Sequence, residues 1–297
     1  MIRRSRLKVR NARNVLLFLS PWIVGFMLFV VYPMLSSLRY SFTLYGGMLP
    51  PQWIGLDNYK MLFFEDELFW TSLVNTLYFA SFSIILGTLL SITLALLLNV
   101  KIRGVAIYRT IFYLPSIVPA VASSVVWLWI FNPSYGILNN LFRLLRLPHI
   151  SWLASPTWSK PALILMSCWG VGGAVVIYLA GLQGIPQQLY EAADIDGAQW
   201  WQKIIFITIP MLSPVILFNV IMGLIGSLQY FTQAYIMTGG GPINSTLFYS
   251  LYLYRNAFQY FKMGYACALA WLLFFLILGC TLLILRSSAR WIYYGGS

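Results

Sequence analysis

Residues 185–203 read Ile185-Pro-Gln-Gln-Leu-Tyr-Glu-Ala-Ala-Asp-Ile-Asp-Gly-Ala-Gln-Trp-Trp-Gln-Lys203, and they form a polar segment in an apolar part of the chain. Three of the seven acidic residues of the protein lie here: Glu191, Asp194 and Asp196. The chain is uncharged over residues 161–190 before these acids and over residues 204–254 after the segment. About 20 apolar residues are enough for a helix to cross a bilayer core of about 30 Å. The segment is therefore predicted to be a loop between membrane-spanning helices.

The composition of the whole chain indicates the same class of protein. Of 297 residues, 60% are hydrophobic and 9% are charged, and the mean hydropathy is +0.78. Soluble domains carry about 25% charged residues, so this chain has too little polar surface to cover a water-soluble particle. A soluble enzyme, a secreted disulfide scaffold and a disordered chain are therefore excluded. The net charge of +12 does not indicate nucleic-acid binding, because the basic residues are spread between apolar runs.

The spacing of charged residues predicts an all-α membrane protein with six transmembrane helices. The turn Thr238-Gly-Gly-Gly-Pro242 divides the longest uncharged run in two. We expect the first span to be a retained helix, because it is longer than the apolar core of a signal peptide. All six spans belong to one transmembrane domain over residues 1–297. They cover residues 16–38, 71–98, 110–131, 161–182, 214–237 and 263–285.

The distribution of Lys and Arg predicts that both termini are cytoplasmic. This orientation places 12 of the 19 basic residues inside, six of them before the first span, and leaves seven outside. The loop of residues 184–213 is then cytoplasmic. Its three acids have the wrong sign for an anionic lipid surface, so we favour a protein partner over an amphipathic linker that lies on the headgroups.

The predicted local structure of this loop is a helix, a turn and a second helix. Pro186 suits the first turn of a helix, where its missing N–H costs nothing. Gly197 can adopt the left-handed conformation that ends a helix, and a second helix can follow over residues 198–207. A helix of about ten residues is marginal alone in water. The first helix is therefore expected to persist by docking against another surface.

The same residues match a family motif. Glu191-Ala192-Ala193, three residues, Gly197, nine residues, Ile207, one residue and Ile209-Pro210 resemble the EAA loop of binding-protein-dependent ABC importer permeases, with Ile209 where the motif usually has Leu. Three further stretches resemble the carbohydrate importers of the maltose and multiple-sugar type. They are Tyr113-Leu-Pro-Ser-Ile-Val-Pro119, Asn132-Pro-Ser-Tyr-Gly136 and Thr238-Gly-Gly-Gly-Pro242. The resemblance extends over nearly the whole chain.

The resemblance implies a type I ABC importer permease fold and a set of partners. These are a second, homologous permease, two ATP-binding subunits and an external solute-binding protein that delivers a sugar. The chain contains no Gly-Lys dipeptide and so no phosphate-binding loop; we expect ATP and Mg²⁺ to be bound by the partners, with no cofactor and no enzymatic activity in this chain. The implied location is a prokaryotic inner or plasma membrane. The residues implied in coupling to the ATPase are Glu191, Ala192, Ala193, Asp194, Asp196 and Gly197.

A candidate substrate pathway lies in the predicted fifth span. Gln229 and Gln233 are four residues apart, which places them on one helix face, and Tyr230 is next to that face. Amide groups are costly in hydrocarbon, so a cavity that binds sugar hydroxyls would explain them, although hydrogen bonding between helices remains an alternative. By the resemblance, Gln229 and Tyr230 occupy sugar-contacting positions that hold asparagine in the maltose type. Further candidates are Ser116, Trp169, Gly170 and Gly173. For the small residues among them, tight helix packing is an equally good explanation.

Two other kinds of transporter are alternatives to a sugar importer. A permease for glycerol-phosphate-type polyols would need an Arg or Lys facing the cavity, and a secondary transporter would need acids inside the membrane. The predicted spans contain neither. No metal site is predicted, because His149 has no His or Cys neighbour in the sequence and all three cysteines lie inside apolar runs.

Overall fold

A computed structural model describes residue 15 and residues 17–100 and 103–293. The basic residues before the first span, the first residue of that span (Leu16) and Lys101 lie outside the described residues. The chain forms two compact units, one of residues 1–65 and 253–272 and the other of residues 66–252 and 273–297. The single domain expected over the whole chain stays a prediction.

The first unit begins with helix α1 (Leu17–Ser41), which contains a π-helical turn at Met27–Val31. A two-residue antiparallel pair follows, with β1 at Thr43–Leu44 and β2 at Gln52–Trp53, and then α2 (Asp57–Phe64). The buried Asn58 amide fixes this arrangement, because its Nδ2 donates to the Ser41 carbonyl at 2.8 Å and to the Thr43 carbonyl at 3.0 Å.

The second unit is built around the 32-residue helix α3 (Glu67–Leu98). Asp66 caps its N-terminus by accepting a hydrogen bond from the Phe69 N–H at 3.1 Å. The other helices in this part of the chain are α4 (Val105–Ile117), α5 (Ala120–Ile130), α6 (Ile137–Leu144), α7 (Ser159–Trp169), α8 (Gly172–Gln183), α9 (Gln187–Ile195), α10 (Trp200–Lys203), α11 (Ile209–Leu228) and α12 (Thr232–Met237).

Two helices cross the boundary between the units. They are α13 (Tyr249–Tyr254), followed by a π-helical turn at Arg255–Gln259, and α14 (Met263–Ser288). In the second unit, α8 and α11 pack on α3 around a buried cluster that includes Ala95, Tyr178 and Leu212. The fold is the mostly helical one that was predicted.

The predicted spans agree with the structure in number when bent helix pairs are counted as single spans. Four helices of the described chain are long and apolar enough to cross a membrane, and two bent pairs raise this number to six. The continuous third span predicted over residues 110–131 is wrong, because α4 and α5 meet at an angle of 102°. Pro115 and Pro119 lie on either side of this break, where proline removes the N–H donors that a continuous helix needs.

The predicted fourth and fifth spans are also interrupted. Helices α7 and α8 meet at 47° at Gly170 and Val171. In the fifth span, α11 ends at Leu228 and α12 begins at Thr232, within a helical segment that extends back to Trp200. The second helix expected at residues 198–207 is therefore the beginning of this long segment, with a π-helical turn at Ile204–Thr208.

Candidate coupling loop and substrate pathway

The loop predicted to contact an ATPase is an exposed helix with a well-formed end. Glu191, Ala192, Ala193 and Asp194 lie in α9, and Asp196 is its C-terminal cap. Apart from Ala193, which is partly buried, all of these side chains are exposed. This helix therefore has most of its acidic and small side chains at the surface of the described chain.

Gly197 makes the turn that was predicted for it. Its φ is +75°, in the left-handed region that side chains other than glycine disfavour. The Ala198 N–H donates to the Ala193 carbonyl at 2.8 Å and the Gly197 N–H donates to the Asp194 carbonyl at 3.1 Å. These two bonds form a Schellman motif, which satisfies the last carbonyls of α9.

Two side-chain contacts connect α9 to the helical segment that follows it. The Lys203 ammonium forms an ion pair with Asp194. The Tyr190 hydroxyl lies 2.9 Å from Thr208 Oγ1, and that oxygen also lies 3.2 Å from the Lys203 carbonyl. Asp194 was predicted to take part in coupling to the ATPase, and in the structure its carboxylate also pairs with Lys203 of the same chain. The contacts of Tyr190 and Lys203 were not predicted, because they join residues nine and more positions apart.

Large apolar side chains at the same surface were also missed by the sequence analysis. Ile195 is 88% exposed and Trp200 is 73% exposed, one on each side of the Gly197 turn. Exposed apolar groups of this size beside a polar rim are typical of a protein interface. Ile195 and Trp200 therefore form an exposed apolar patch at the Gly197 turn, next to the acidic residues of the loop.

The predicted pathway residues lie at the helix breaks of the second unit. Ser116 precedes the α4–α5 break, Trp169 and Gly170 form the α7–α8 break, and Gln229 and Tyr230 form the α11–α12 break. Broken membrane helices free backbone groups for substrate contacts. The Ser116 hydroxyl itself donates to the Tyr113 carbonyl at 2.7 Å.

The break in the fifth span separates Gln229 from Gln233. Gln229 ends α11 while Gln233 lies in α12, so the shared helix face that was predicted for them is wrong. Gln229 is exposed and Gln233 is partly buried. The ring of Tyr230 packs on Phe79, with ring centroids 4.1 Å apart, and its edge meets Phe248 at 5.4 Å. This ring is therefore engaged with protein, and the Tyr230 hydroxyl is buried without a hydrogen-bond partner among the described residues.

Gly172, which the sequence analysis did not name, packs directly against the backbone of another helix. A Cβ on Gly172 would overlap the Phe112 carbonyl oxygen and approach Tyr113 Cα at 2.8 Å, so α4 and α8 touch through backbone here. A Cβ on Gly173, by contrast, would meet no atom within 4 Å. This contact joins the α4–α5 and α7–α8 breaks, and the T-shaped pair of Trp127 and Trp169, at 6.1 Å, joins them again.

A small, mainly apolar cavity between packed helices was also unpredicted. It has a volume of about 130 Å³ and lies between α3, α8 and α11. Its polar lining consists of Ser83, Thr88, Ser91, Tyr178 and Asn219. These residues lie in three different helices, so no local sequence pattern connects them. Over residues 15, 17–100 and 103–293, no group of three His, Cys, Asp or Glu side chains could hold a metal ion.

Comparison with known proteins shows the family to which this chain belongs. Residues 87–294 match the family described as "Binding-protein-dependent transport system inner membrane component". The probable ABC transporter permease protein YesP of Bacillus subtilis (strain 168) is 43% identical over 281 residues, which cover 93% of this chain and 91% of that protein. The lactose transport system permease protein LacF of Rhizobium radiobacter is 37% identical over 92% of this chain and 93% of its own length.

The fold resembles a solved transporter. A chain of the bacterial alginate ABC transporter, in complex with its alginate pentasaccharide-bound periplasmic protein, superposes with a TM-score of 0.84. It is 27% identical and covers 95% of this chain and 96% of that chain. The chain studied here belongs to the binding-protein-dependent inner membrane component family. It is a membrane-spanning ABC transporter permease of the type I importer fold, so the resemblance found in the sequence is confirmed.

Proposed function

We propose that this chain is the permease subunit of an ATP-driven importer that translocates a sugar or oligosaccharide delivered by an external solute-binding protein. The observation that carries the proposal is the coupling loop, an exposed helix that ends in a Schellman turn and presents Glu191, Ile195 and Trp200 to a partner. The names of the relatives support the substrate class, since LacF is a lactose permease and the solved neighbour imports alginate.

The partners in this proposal are a second permease, two ATP-binding subunits and the solute-binding protein. The chain has no phosphate-binding loop, so ATP hydrolysis, with its Mg²⁺, takes place in the ATP-binding subunits. The periplasmic protein bound to the solved alginate transporter supports the external partner. The location is a prokaryotic inner or plasma membrane with both termini in the cytoplasm, supported by the distribution of Lys and Arg.

The coupling loop transmits motion because it is tied to a long helical segment. A force on α9 reaches Ile204–Thr208 through the Asp194–Lys203 ion pair and the Tyr190–Thr208 hydrogen bond. ATP binding in the partner supplies the free energy that shifts the permease between its two access states. This chain converts the closure of the ATPase into movement of α11 and of the break at Gln229.

The substrate pathway lies along the three helix breaks. Gln229, Gln233 and Ser116 supply hydrogen-bonding groups for sugar hydroxyls, and the partly exposed Trp169 supplies an aromatic face. Gly170 and Gly173 give the α7–α8 segment room to bend. Because the Tyr230 ring packs on Phe79 and Phe248 and its hydroxyl is buried, Tyr230 orients the break and positions the neighbouring Gln229 for the sugar.

The deciding experiment is reconstitution. The chain is purified with the subunits that accompany it, and uptake of radiolabelled lactose, maltose and an alginate oligosaccharide is measured in proteoliposomes with and without ATP. We expect a second permease and an ATPase in the complex, and uptake that needs both ATP and a binding protein. Uptake that proceeds without ATP, or a complex that lacks an ATPase, would contradict the proposal.

A further inference from the structure

Helix α6 (Ile137–Leu144) combines an exposed apolar face with a cationic pocket. Ile137 is 66% exposed, Leu141 is 48% exposed and Leu144 is 80% exposed, and their spacing of four and three residues places them on one helix face. The side chain of Asn139, on another face, is buried. An eight-residue helix with three large aliphatic side chains on its surface is strongly amphipathic.

The pocket lies beside this apolar face and has a volume of about 330 Å³. Its lining includes two arginines, Arg143 on α6 and Arg146 just after it, together with Asn140, Ser134 and His149. None of the residues that line it is acidic, and the sequence has no Asp or Glu from residue 68 to residue 190. The pocket is therefore positive and lacks a carboxylate of its own.

The loop that forms the pocket is held in place from behind. The Asn139 amide donates to the Ile150 carbonyl at 2.8 Å, and its Oδ1 accepts from the Trp152 indole N–H at 3.2 Å. His149 Nε2 donates to the Pro133 carbonyl at 2.7 Å. The Arg143 guanidinium donates to Asn140 Oδ1 at 3.0 Å, which aims it along the pocket. The pocket is thus part of a fixed loop.

The position of α6 in the chain places it at a membrane surface. It follows α5 and precedes α7, which belong to two successive bent spans. The α7–α8 segment separates it from α9, so α6 lies at the end of the unit opposite the coupling loop. A short amphipathic helix between two spans lies in the plane of the interface, with its apolar face in the acyl region and basic side chains at the headgroups.

We propose that α6 is an interfacial helix and that the pocket beside it binds the phosphate of a phospholipid through Arg143 and Arg146. A phospholipid presents a phosphate next to acyl chains, which matches a cationic pocket next to an apolar face on the same helix. Guanidinium groups pair with phosphate oxygens through two parallel N–H donors. An acidic saccharide or a protein carboxylate would match the pocket but would leave Ile137, Leu141 and Leu144 in water.

The first test measures the depth of α6 in the membrane. In a background with Cys168→Ala, Cys267→Ala and Cys280→Ala, nitroxide labels are placed at Leu144→Cys and, as the control, at Thr157→Cys, an exposed position between α6 and α7 that does not line the pocket. The assembled transporter is studied in nanodiscs of phosphatidylethanolamine and phosphatidylglycerol. We expect the label at residue 144 to collide with oxygen more than with a water-soluble nickel chelate, and the label at 157 to show the reverse order. Nickel-dominated collisions at residue 144, or protection from both reagents, would overturn the proposal.

The second test measures the phosphate contact. Phosphatidylglycerol retained by the purified transporter is counted by native mass spectrometry for Arg143→Gln/Arg146→Gln and for the control Lys262→Gln, an exposed cation outside the pocket. We expect retention to fall about tenfold or more in the double variant, because each charge-assisted hydrogen bond is strong, and to stay unchanged in the control. Equal retention in both would overturn the lipid site.

Two further measurements test the other possible occupants of the pocket, an acidic sugar and the binding protein. A galacturonate trisaccharide that lowers the retention of phosphatidylglycerol would assign the pocket to an acidic sugar and contradict the proposal. A loss of binding-protein affinity in the double variant, with unchanged lipid retention, would contradict it as well. Transport and complex assembly are measured in parallel. A result against the lipid site would therefore leave the proposed importer function standing.

Discussion

Gly197 controls the shape of the coupling loop at the level of a single residue. Its φ of +75° costs an L-residue about 1–2 kcal/mol, while a Cβ there would meet no atom within 4 Å. Any effect of a substitution therefore comes from backbone conformation and not from a clash. This separation makes the turn testable with small changes.

We predict that Gly197→Ala weakens the coupling between the permease and ATP hydrolysis, and that Gly197→Asn weakens it less. Alanine strains the Schellman turn, whereas asparagine tolerates the left-handed conformation better. The measurement is binding-protein-stimulated ATP hydrolysis by the reconstituted complex. Gly279→Ala serves as the control, because Gly279 lies within α14 and has open space around it. Equal activity of the alanine and asparagine variants would mean that the turn does not transmit motion.

Glu191 is the exposed acid that we assign to the contact with the ATPase. We predict that Glu191→Gln weakens retention of the ATPase by about 1.5–3 kcal/mol if the contact is a charge-assisted hydrogen bond. Retention is measured by titrating the purified ATPase onto the permease. Glu65→Gln, an exposed acid of the other compact unit, should bind normally. Unchanged affinity in Glu191→Gln would remove this residue from the interface.

At the scale of secondary-structure elements, the proposed function depends on contacts between neighbouring helices. Tyr190 and Thr208 connect α9 to the π-helical turn at Ile204–Thr208, and Gly172 lets α4 and α8 touch. We assign the Tyr190–Thr208 contact to the transmission of motion from the ATPase, and the close approach at Gly172 to the stability of the fold. They should respond to mutation in different assays.

We predict that Tyr190→Phe lowers the amount of sugar transported per ATP while the ATPase remains bound. The substitution removes one hydrogen bond, worth about 1 kcal/mol, between α9 and the segment that it moves, and leaves the exposed docking surface intact. Uptake and ATP hydrolysis are measured together in proteoliposomes. Tyr59→Phe, which removes a hydroxyl that bonds to Ser41 in the other unit, is the control. A normal ratio of transport to hydrolysis in Tyr190→Phe would show that the hydrogen bond is not part of the lever.

Gly172→Ala should destabilise the protein, whereas Gly173→Ala should not. The added methyl group at Gly172 overlaps backbone atoms that cannot move aside, and such overpacking costs about 1–3 kcal/mol. The neighbouring glycine has open space, and alanine is the better helix former. Thermal unfolding of the two variants in the same detergent decides the matter. Equal melting temperatures would mean that α4 and α8 separate easily.

At the scale of the whole molecule, transport requires a pathway that is distinct from the coupling machinery. We predict that Gln229→Leu lowers sugar uptake or changes sugar preference, because it leaves sugar hydroxyls unpaired at a cost of about 1–3 kcal/mol. Assembly with the ATPase should be unaffected, which is opposite to the phenotype of Glu191→Gln. The measurement is uptake of several sugars in proteoliposomes, with complex assembly followed in parallel. Unchanged rate and selectivity would show that Gln229 serves helix packing.

The sequence by itself determined the class of protein, the number of apolar segments and the position of the polar loop to which we assign coupling. These features depend on local composition and spacing: runs of about 20 apolar residues can only lie in a bilayer, and Gly197 alone can end α9 in the left-handed conformation. Only the tertiary structure decided that the helices break at Val118–Pro119, at Gly170–Val171 and at Gln229–Phe231, and that Asp194 is paired with Lys203. The reason is physical. Local prolines such as Pro115 and Pro119 favour a break, but its angle and the side-chain pairings depend on contacts with distant residues, such as Gly172 against Phe112, which no local pattern of residues records.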